Sequence, residues 1–282
     1  MTNLSLAYNT NGLAHHRLDQ ALELCSQLGY KGVAISLDVP HLDPFGFWAR
    51  QAERTKGLAQ SLKLDLVVET GARYLLDSVH KHQPCLVTSS LAGRNRRIEF
   101  YRKSIDVAAH IGAPVLSLWS GTADPDLKET DEALYTRLTE GLVSVIEQAT
   151  DAKVTVCLEP EPGMFIERVD QYHALKKHAG GALDALKLTL DVGHCLVTQE
   201  ITPQQAIEEN ASEIAHVHLD DIKNQEHEHL MFGQGDLDLP AVLQALKNVS
   251  YSGMAAVELS RDSHRGAWAA KEAMRRLTEA GA

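Results

Sequence analysis

The sequence predicts a (β/α)8 TIM barrel, folded as a single domain over residues 1–282, and three observations predict it. Eight short β-type runs alternate with helix-type segments from one end of the chain to the other, the pattern of βα units around a parallel sheet. The length of 282 residues is close to the ~250 typical of such barrels. No composition shift, low-complexity tract or linker divides the chain, and no GxGxxG follows the first run as it would in a doubly wound dinucleotide-binding sheet, the alternative arrangement of the same units.

The runs follow in order. "LSLAY" covers residues 4–8, "GVAISL" 32–37, "LDLVVE" 64–69 and "PVLSLW" 114–119. The second half of the chain supplies "VTVCLE" at 154–159, "LKLTLDV" at 186–192, "IAHVHL" at 214–219 and "MAAVEL" at 254–259. Each is short, apolar and rich in β-branched residues or leucine, and each is followed by polar or turn-forming residues. Between the runs lie amphipathic stretches. In "RRIEFYRKSIDVAAHIGA", Ile98, Tyr101, Ile105, Ala108 and Ile111 recur at helical spacing, which gives one apolar stripe for the sheet.

Composition bounds the function. With 44% hydrophobic and 23% charged residues the chain has the balance of a globular protein. Its formal net charge of -11 opposes a polyphosphate backbone, so nucleic acid is excluded as the expected partner. The N-terminal "MTNLSLAYNTNG" lacks the basic and long apolar regions of a signal peptide. No run of ~18 apolar residues could span a bilayer, so no membrane partner and a cytoplasmic location are expected. Cys25, Cys85, Cys157 and Cys195 show no CxxC spacing and read as buried thiols.

In a barrel the active site lies at the carboxyl ends of the strands, which selects Glu69, Glu159, Asp191, His218 and Glu258. Glu159, Asp191, His218 and Glu258 end the fifth to eighth runs, and a closed barrel points them into one small space. Three carboxylates there repel one another unless they take up protons or ligate a divalent cation. The oxygen-rich set with one imidazole suits Mn, Co or Mg, with Zn also open, and needs no organic cofactor. His194, three residues beyond Asp191 in "LTLDVGH", can reach the open face of that ion to bind substrate. With His227 and His229 of "NQEHEHLMFGQGD" it could instead form a second, three-nitrogen metal site. A solvated His-rich loop is the alternative reading of that pair.

Substrate-binding residues are expected in the first half of the chain. "VVETGARYLLDSVHKHQP" is too long for a simple βα turn and reads as a substrate loop. It carries Glu69, and Arg73, Lys81 and His82 that could hold a phosphate or carboxylate, with a solvated basic loop as the alternative. Trp119 in "SLWSGT" stands at the mouth, where its indole can stack on a substrate, with core packing as the alternative.

Glu159 in "CLEP", Asp191 and His194 in "LDVGH", His218 in "HVHLDD", the segment "FGQGDLDLPAVLQAL" and Glu258 in "AVELS" resemble the xylose isomerase-like TIM barrel superfamily. The resemblance is carried by motifs in the last four runs and only by pattern in the first four. That superfamily holds sugar-phosphate isomerases and epimerases, ketose 3-epimerases, inosose dehydratases, hydroxypyruvate isomerases and endonuclease IV. Carried over to this chain, the ketose 3-epimerase pattern implies a metal held by Glu159, Asp191, His218 and Glu258. It makes Glu159 and Glu258 the proton-shuttling catalytic pair and sets His194 against the substrate. The endonuclease IV pattern implies an additional zinc at His194, His227 and His229. This chain has His227 where that enzyme has Asp, and Glu69 and Trp119 where its remaining zinc site has histidines.

The function implied is a metal-dependent sugar or sugar-phosphate isomerase or epimerase acting by proton transfer through a metal-stabilised enediolate. A keto-sugar or keto-cyclitol dehydratase or lyase is the alternative with the same residues. An endonuclease IV-like repair nuclease and a catalytically dead barrel serving as a binding module are the alternatives of other classes. The resemblance also implies a homo-oligomer.

Overall fold

The computed structural model describes residues 4–282. Its strands are β1 (Ser5–Asn9), β2 (Gly32–Ser36), β3 (Asp65–Glu69), β4 (Val115–Trp119), β5 (Thr155–Glu159), β6 (Lys187–Asp191), β7 (Ile214–Leu219), β8 (Asp221–Lys223), β9 (Glu226–Leu230) and β10 (Met254–Val257). Strands β1 to β7 and β10 are parallel neighbours and close into a barrel in the order β1-β10-β7-β6-β5-β4-β3-β2. Each of the eight predicted runs coincides with one barrel strand to within one or two residues at an end, β1 running one residue past its run to Asn9. The last run stops being a strand at Val257, but the Glu258 N–H still donates to the Leu219 carbonyl (3.0 Å), so Glu258 keeps strand geometry.

The loop expected after the seventh run is a second, two-stranded sheet: β8 and β9 form an antiparallel hairpin over the mouth. Its two turn residues, Asn224 and Gln225, both take the left-handed conformation (φ 53° and 64°), as a tight hairpin turn of this hand requires.

The helices are α1 (Leu18–Leu28), α2 (Trp48–Leu62), α3 (Leu91–Ile111), α4 (Asp131–Asp151), α5 (Val169–His178), α6 (Val192–Thr198), α7 (Pro203–Glu209), α8 (Leu239–Asn248) and α9 (Gly266–Glu279). On α3 the stripe read from the sequence faces inward, with Tyr101, Ile105, Ala108 and Ile111 buried against the sheet and Ile98 half-buried beside them. Outward-pointing strand residues such as Leu188, Leu190 and Val217 fill the layer between sheet and helices. Burial of each such side chain stabilises the fold by about 1.5–3 kcal/mol. No helix among the described residues is long and apolar enough to cross a membrane, and all four cysteines are buried and unbridged.

The barrel interior changes character along its axis. At the amino-terminal end Ala7, Ala34, Val67, Met254 and Ala256 pack as a small apolar plug. One inward position further on, the Ser117 and Thr189 hydroxyls bond each other (2.8 Å). Because strand side chains alternate with a period of two, the next inward positions are Glu69, Trp119, Glu159, Asp191, His218 and Glu258. The polar layer at the mouth is therefore a consequence of register.

The segment from 70 to 90 contains no helix or strand. It is pinned by Arg97 of α3, which is 2% exposed and donates from Nε to the Pro84 carbonyl (2.7 Å) and from Nη2 to the His82 carbonyl (2.6 Å). Two charge-assisted bonds to main-chain oxygens explain how a buried guanidinium is tolerated there.

Candidate active site

The four residues at the ends of β5, β6 and β7 and just beyond β10 meet as the sequence suggests. One ligand atom from each of Glu159, Asp191, His218 and Glu258 lies within 4.8 Å of the others, and all four side chains are buried. His218 Nδ1 is the centre of the set. It lies 2.8 Å from Glu159 Oε1, 2.8 Å from Glu258 Oε2 and 3.8 Å from Asp191 Oδ2.

Each carboxylate is held from outside the set. Trp119 Nε1–H donates to Glu159 Oε2 (2.7 Å), and the Asn11 amide donates to Glu258 Oε1 (2.6 Å). Asp191 Oδ1 accepts the N–H groups of Gly193 (2.7 Å) and His194 (3.1 Å) and so caps α6. What remains is informative: Asp191 Oδ2 and Glu258 Oε2 are buried with no hydrogen-bond partner among the described residues. Two orphaned carboxylate oxygens converging on one imidazole nitrogen fit a divalent cation, since unsatisfied buried anionic oxygens are otherwise costly.

Electrostatics follow from the crowding. Burial alone would lower the His218 pKa, but Glu159, Glu258 and Glu69 raise it well above the ordinary histidine value. Glu258 is pulled well below the usual carboxylate range against the opposing effect of burial, chiefly by the charge of His218 and its contact with that ring. Asp191 is likewise lowered, burial being outweighed by His194, His229 and His218.

A second group adjoins the first. His194, His227 and His229 bring one ring nitrogen each within 4.8 Å of the others. The Nε2 atoms of His194 and His227 are 3.1 Å apart, while His194 Nδ1–H donates to the Pro160 carbonyl (2.8 Å). His227 and His229 occupy alternate positions of β9, with ring centroids 4.6 Å apart, so the hairpin throws both rings to one side. Asp220, buried just beyond β7, sets its Oδ2 2.6 Å from His229 Nδ1 and so fixes that ring beside the other two.

The same arrangement explains the glycine of "LDVGH". A Cβ at Gly193 would stand 2.1 Å from Asp220 Oδ1, so only glycine lets that carboxylate approach. Asp221, the second acid of "HLDD", points elsewhere. Its carboxylate accepts the backbone N–H groups of Gly233 (2.7 Å), Gly235 (2.8 Å), Leu237 (2.9 Å) and Ile222 (2.9 Å), which accounts for the "FGQGDL" segment as the anchor of the hairpin.

The pair of metal-ligand groups opens on a cavity of about 640 Å³. Arg73, Lys81 and His82 are among its lining residues. His82 is kept neutral, its pKa lowered to about 4 by burial and by the nearby charges of Lys81, Arg97 and Arg73. Arg73 Nη2 reaches the Asn11 carbonyl at 3.5 Å. Trp119 is placed at the wall, but its N–H is committed to Glu159 and its ring meets His82 edge to face (4.8 Å). Glu69 lines the same cavity from the end of β3, with Oε1 2.9 Å from His218 Nε2.

Four residues at or around the site were invisible to sequence reasoning. Asn11, in a 3-10 turn after β1, has no motif around it. Glu161 sits 3.5 Å from His194 Nε2, and burial pushes its pKa up to about 8, with Glu159 and Glu258 adding to the effect against His194 and His229. Asp220 is raised to about 7 by burial and the charge of Asp191. Arg97 acts only through the loop it clamps. For Glu161 and Asp220 the available signal was adjacency to the metal motifs.

Residues 22–280 match the family model described as xylose isomerase-like TIM barrel. Among curated proteins, the L-ribulose-5-phosphate 3-epimerase UlaE of Shigella flexneri serotype 5b is 27% identical over 248 residues, covering 85% of this chain and 81% of that one. Among solved structures, D-allulose 3-epimerase from Methylomonas sp. superposes with a TM-score of 0.77 at 16% identity, covering 99% of both chains. The 3-keto-D-glucoside 4-epimerase YcjR from E. coli gives 0.73 at 14% identity, covering 95% of this chain and 99% of that one. At such identities the structural matches speak for the fold, and with the family match spanning nearly the whole sequence, the chain belongs to the xylose isomerase-like TIM barrel family.

Proposed function

We propose that this protein is a metal-dependent sugar isomerase or epimerase that takes a phosphorylated ketose or a closely related sugar phosphate. The observation that carries the proposal is the pair Glu159 and Glu258. Their oxygens flank His218 Nδ1 at 2.8 Å on either side, and each is held by a donor outside the set. The curated relatives are sugar-phosphate epimerases, which supports the same reading.

Glu159, Asp191, His218 and Glu258 would hold the ion, for which Mn, Co, Mg and Zn are the candidates. Bound there, a divalent cation supplies Lewis acidity that polarises a substrate carbonyl and acidifies the neighbouring C–H. Glu159 and Glu258 then act on that proton from opposite sides. Removal by one and return by the other at the same carbon inverts the centre, whereas return at the adjacent carbon interconverts aldose and ketose. His194, fixed through Nδ1 by the Pro160 carbonyl, presents Nε2 to the substrate's oxygens. Arg73 and Lys81 bind the phosphate, while the neutral His82 spends its one N–H on the Gly71 carbonyl (Nδ1, 2.8 Å) and packs beside them. Trp119 contributes by orienting Glu159 as well as by its ring face.

The net charge of -11 favours such a small substrate over nucleic acid, and four free buried thiols suit the reducing cytoplasm. The test is turnover of a panel of ketoses and ketose phosphates with Mn²⁺ or Co²⁺ in D2O. Deuterium should enter the product at the carbon beside the carbonyl. A panel in which no substrate exchanges would count decisively against the proposal, and an enone absorbance with loss of water would favour the dehydratase.

One observation favours a second ion. Besides the three converging imidazoles, buried Asp220 leaves Oδ1 without a hydrogen-bond partner among the described residues, while its Oδ2 stands 2.6 Å from His229 Nδ1. His194, His227 and His229 would be its ligands, with Asp220 orienting His229. Metal analysis of the purified protein distinguishes one ion per chain from two.

A further inference from the structure

Glu69 closes β3 beside the four-residue set and lines the same cavity. Its Oε1 lies 2.9 Å from His218 Nε2 in a hydrogen bond, and the same oxygen lies 2.9 Å from His216 Nε2, though out of line for a second one. All three side chains are buried: Glu69 is 6% exposed, His216 0% and His218 1%. The two imidazoles stand edge to face, with centroids 4.9 Å apart and planes at 89°. The ring of His218 is thus held on one edge by a carboxylate and on one side by a perpendicular ring.

Both ring nitrogens of His218 face carboxylates, Nε2 that of Glu69 and Nδ1 those of Glu159 and Glu258, so the tautomer is set when a cation takes the Nδ1 lone pair and leaves the Nε2–H to Glu69. A carboxylate that accepts the Nε2–H of an imidazole stabilises the form whose lone pair is on Nδ1. In His218 that is the nitrogen 2.8 Å from both Glu159 and Glu258. Rotation of the ring about its Cβ–Cγ bond would break the bond to Glu69 and drive the ring into His216. A half-turn would otherwise put Cδ2 where Nδ1 stands and take the ligating nitrogen away from the ion.

We propose that Glu69 is a positioning residue for metal binding: through His218 Nε2 it fixes the ring so that Nδ1 faces the ion, while His216 blocks rotation. Glu69 thereby acts on the ion rather than on the sugar. The inference rests on the four-ligand reading of the site, so the test must separate the two.

The experiment is a titration of the metal-free full-length protein with Mn²⁺, comparing wild type with Glu69→Gln, Glu69→Ala and Asp191→Asn, alongside the melting temperature of each metal-free protein. Loss of an outer partner of a metal-bound histidine costs about 10–100-fold in metal affinity, and Glu69→Ala should raise the Mn²⁺ Kd by that factor. Glu69→Gln keeps an acceptor oxygen at the same place without its charge, so it should weaken binding by less, by about three- to tenfold. A role confined to packing would lower the melting temperature and leave the Kd of the folded protein unchanged. Wild-type affinity in both Glu69 variants, with binding lost in Asp191→Asn, overturns the proposal and returns Glu69 to the substrate. If Glu69→Ala does not fold, Glu69→Gln decides, and a Kd within about twofold of wild type overturns it. Wild-type affinity in Asp191→Asn as well would place the ion elsewhere and overturn the four-ligand reading together with the proposal.

Discussion

Asp191 offers a clean perturbation because its two oxygens have separate tasks. Oδ1 accepts the Gly193 and His194 N–H groups at 2.7 and 3.1 Å, whereas Oδ2 is the orphaned oxygen facing His218 Nδ1 at 3.8 Å. Asp191→Asn can keep the carbonyl oxygen on the cap and place an NH2 group, which cannot ligate a cation, where Oδ2 stood. Asp191→Ala removes both. Removing an outer partner of a metal ligand costs about 10–100-fold in affinity, so losing the ligand itself should cost at least about 100-fold, or about 2.7 kcal/mol. Both variants should therefore lose Mn²⁺ binding and activity together. They should differ in stability, since loss of an N-cap costs about 1 kcal/mol and would lower the melting temperature of the alanine variant alone by about 2–4 °C. The assay is Mn²⁺ titration with thermal melts of the metal-free proteins. An asparagine variant that binds Mn²⁺ within about threefold of wild type would refute the division of labour, because so small a factor lies below that of an outer partner.

The other predictions concern the surroundings of that site. If His194, His227 and His229 hold a second ion, alanine at any one should reduce the bound metal from about two per chain toward about one, since a three-ligand protein site does not survive on two; if there is one ion, His194→Ala should keep the metal and lose activity. Arg73→Ala should raise KM for a phosphorylated ketose by about 10–100-fold, the worth of a hydrogen bond to a charged group, and leave that of the unphosphorylated sugar within about twofold. A loss common to both sugars would move the phosphate away from Arg73. His82, lowered to about 4 by burial and neighbouring cations, binds a proton more weakly folded than unfolded, so it takes stability away as pH falls from about 6.5 toward 4. His82→Asn should flatten the wild-type decline in melting temperature over that window, and an unchanged slope would show that other groups carry it.

The barrel was legible because its causes are local and repeated. Eight apolar runs, separated by amphipathic stretches such as that of Ile98 to Ile111, leave a parallel closed sheet as the arrangement that buries every run. Convergence of Glu159, Asp191, His218 and Glu258 was legible for the same reason, since parallel register sends the last inward side chain of each strand to one end. What depended on contacts between distant segments was not. Asn11 meets Glu258 across 247 positions of sequence, and Glu69 meets His218 across 149, with neither contact implied by any spacing. The polar run from Asp221 to Leu230 read as a loop because its pairing is with itself and its anchor is the Asp221 carboxylate, which satisfies four backbone N–H groups around "FGQGDL". The sequence determined by itself the architecture and the residue types brought to the mouth, because periodicity and register are properties of the chain. Which oxygen is left free for a metal, and which is already taken by a cap, an indole or an amide, only the tertiary structure decided, because hydrogen-bond partners are chosen by proximity in space.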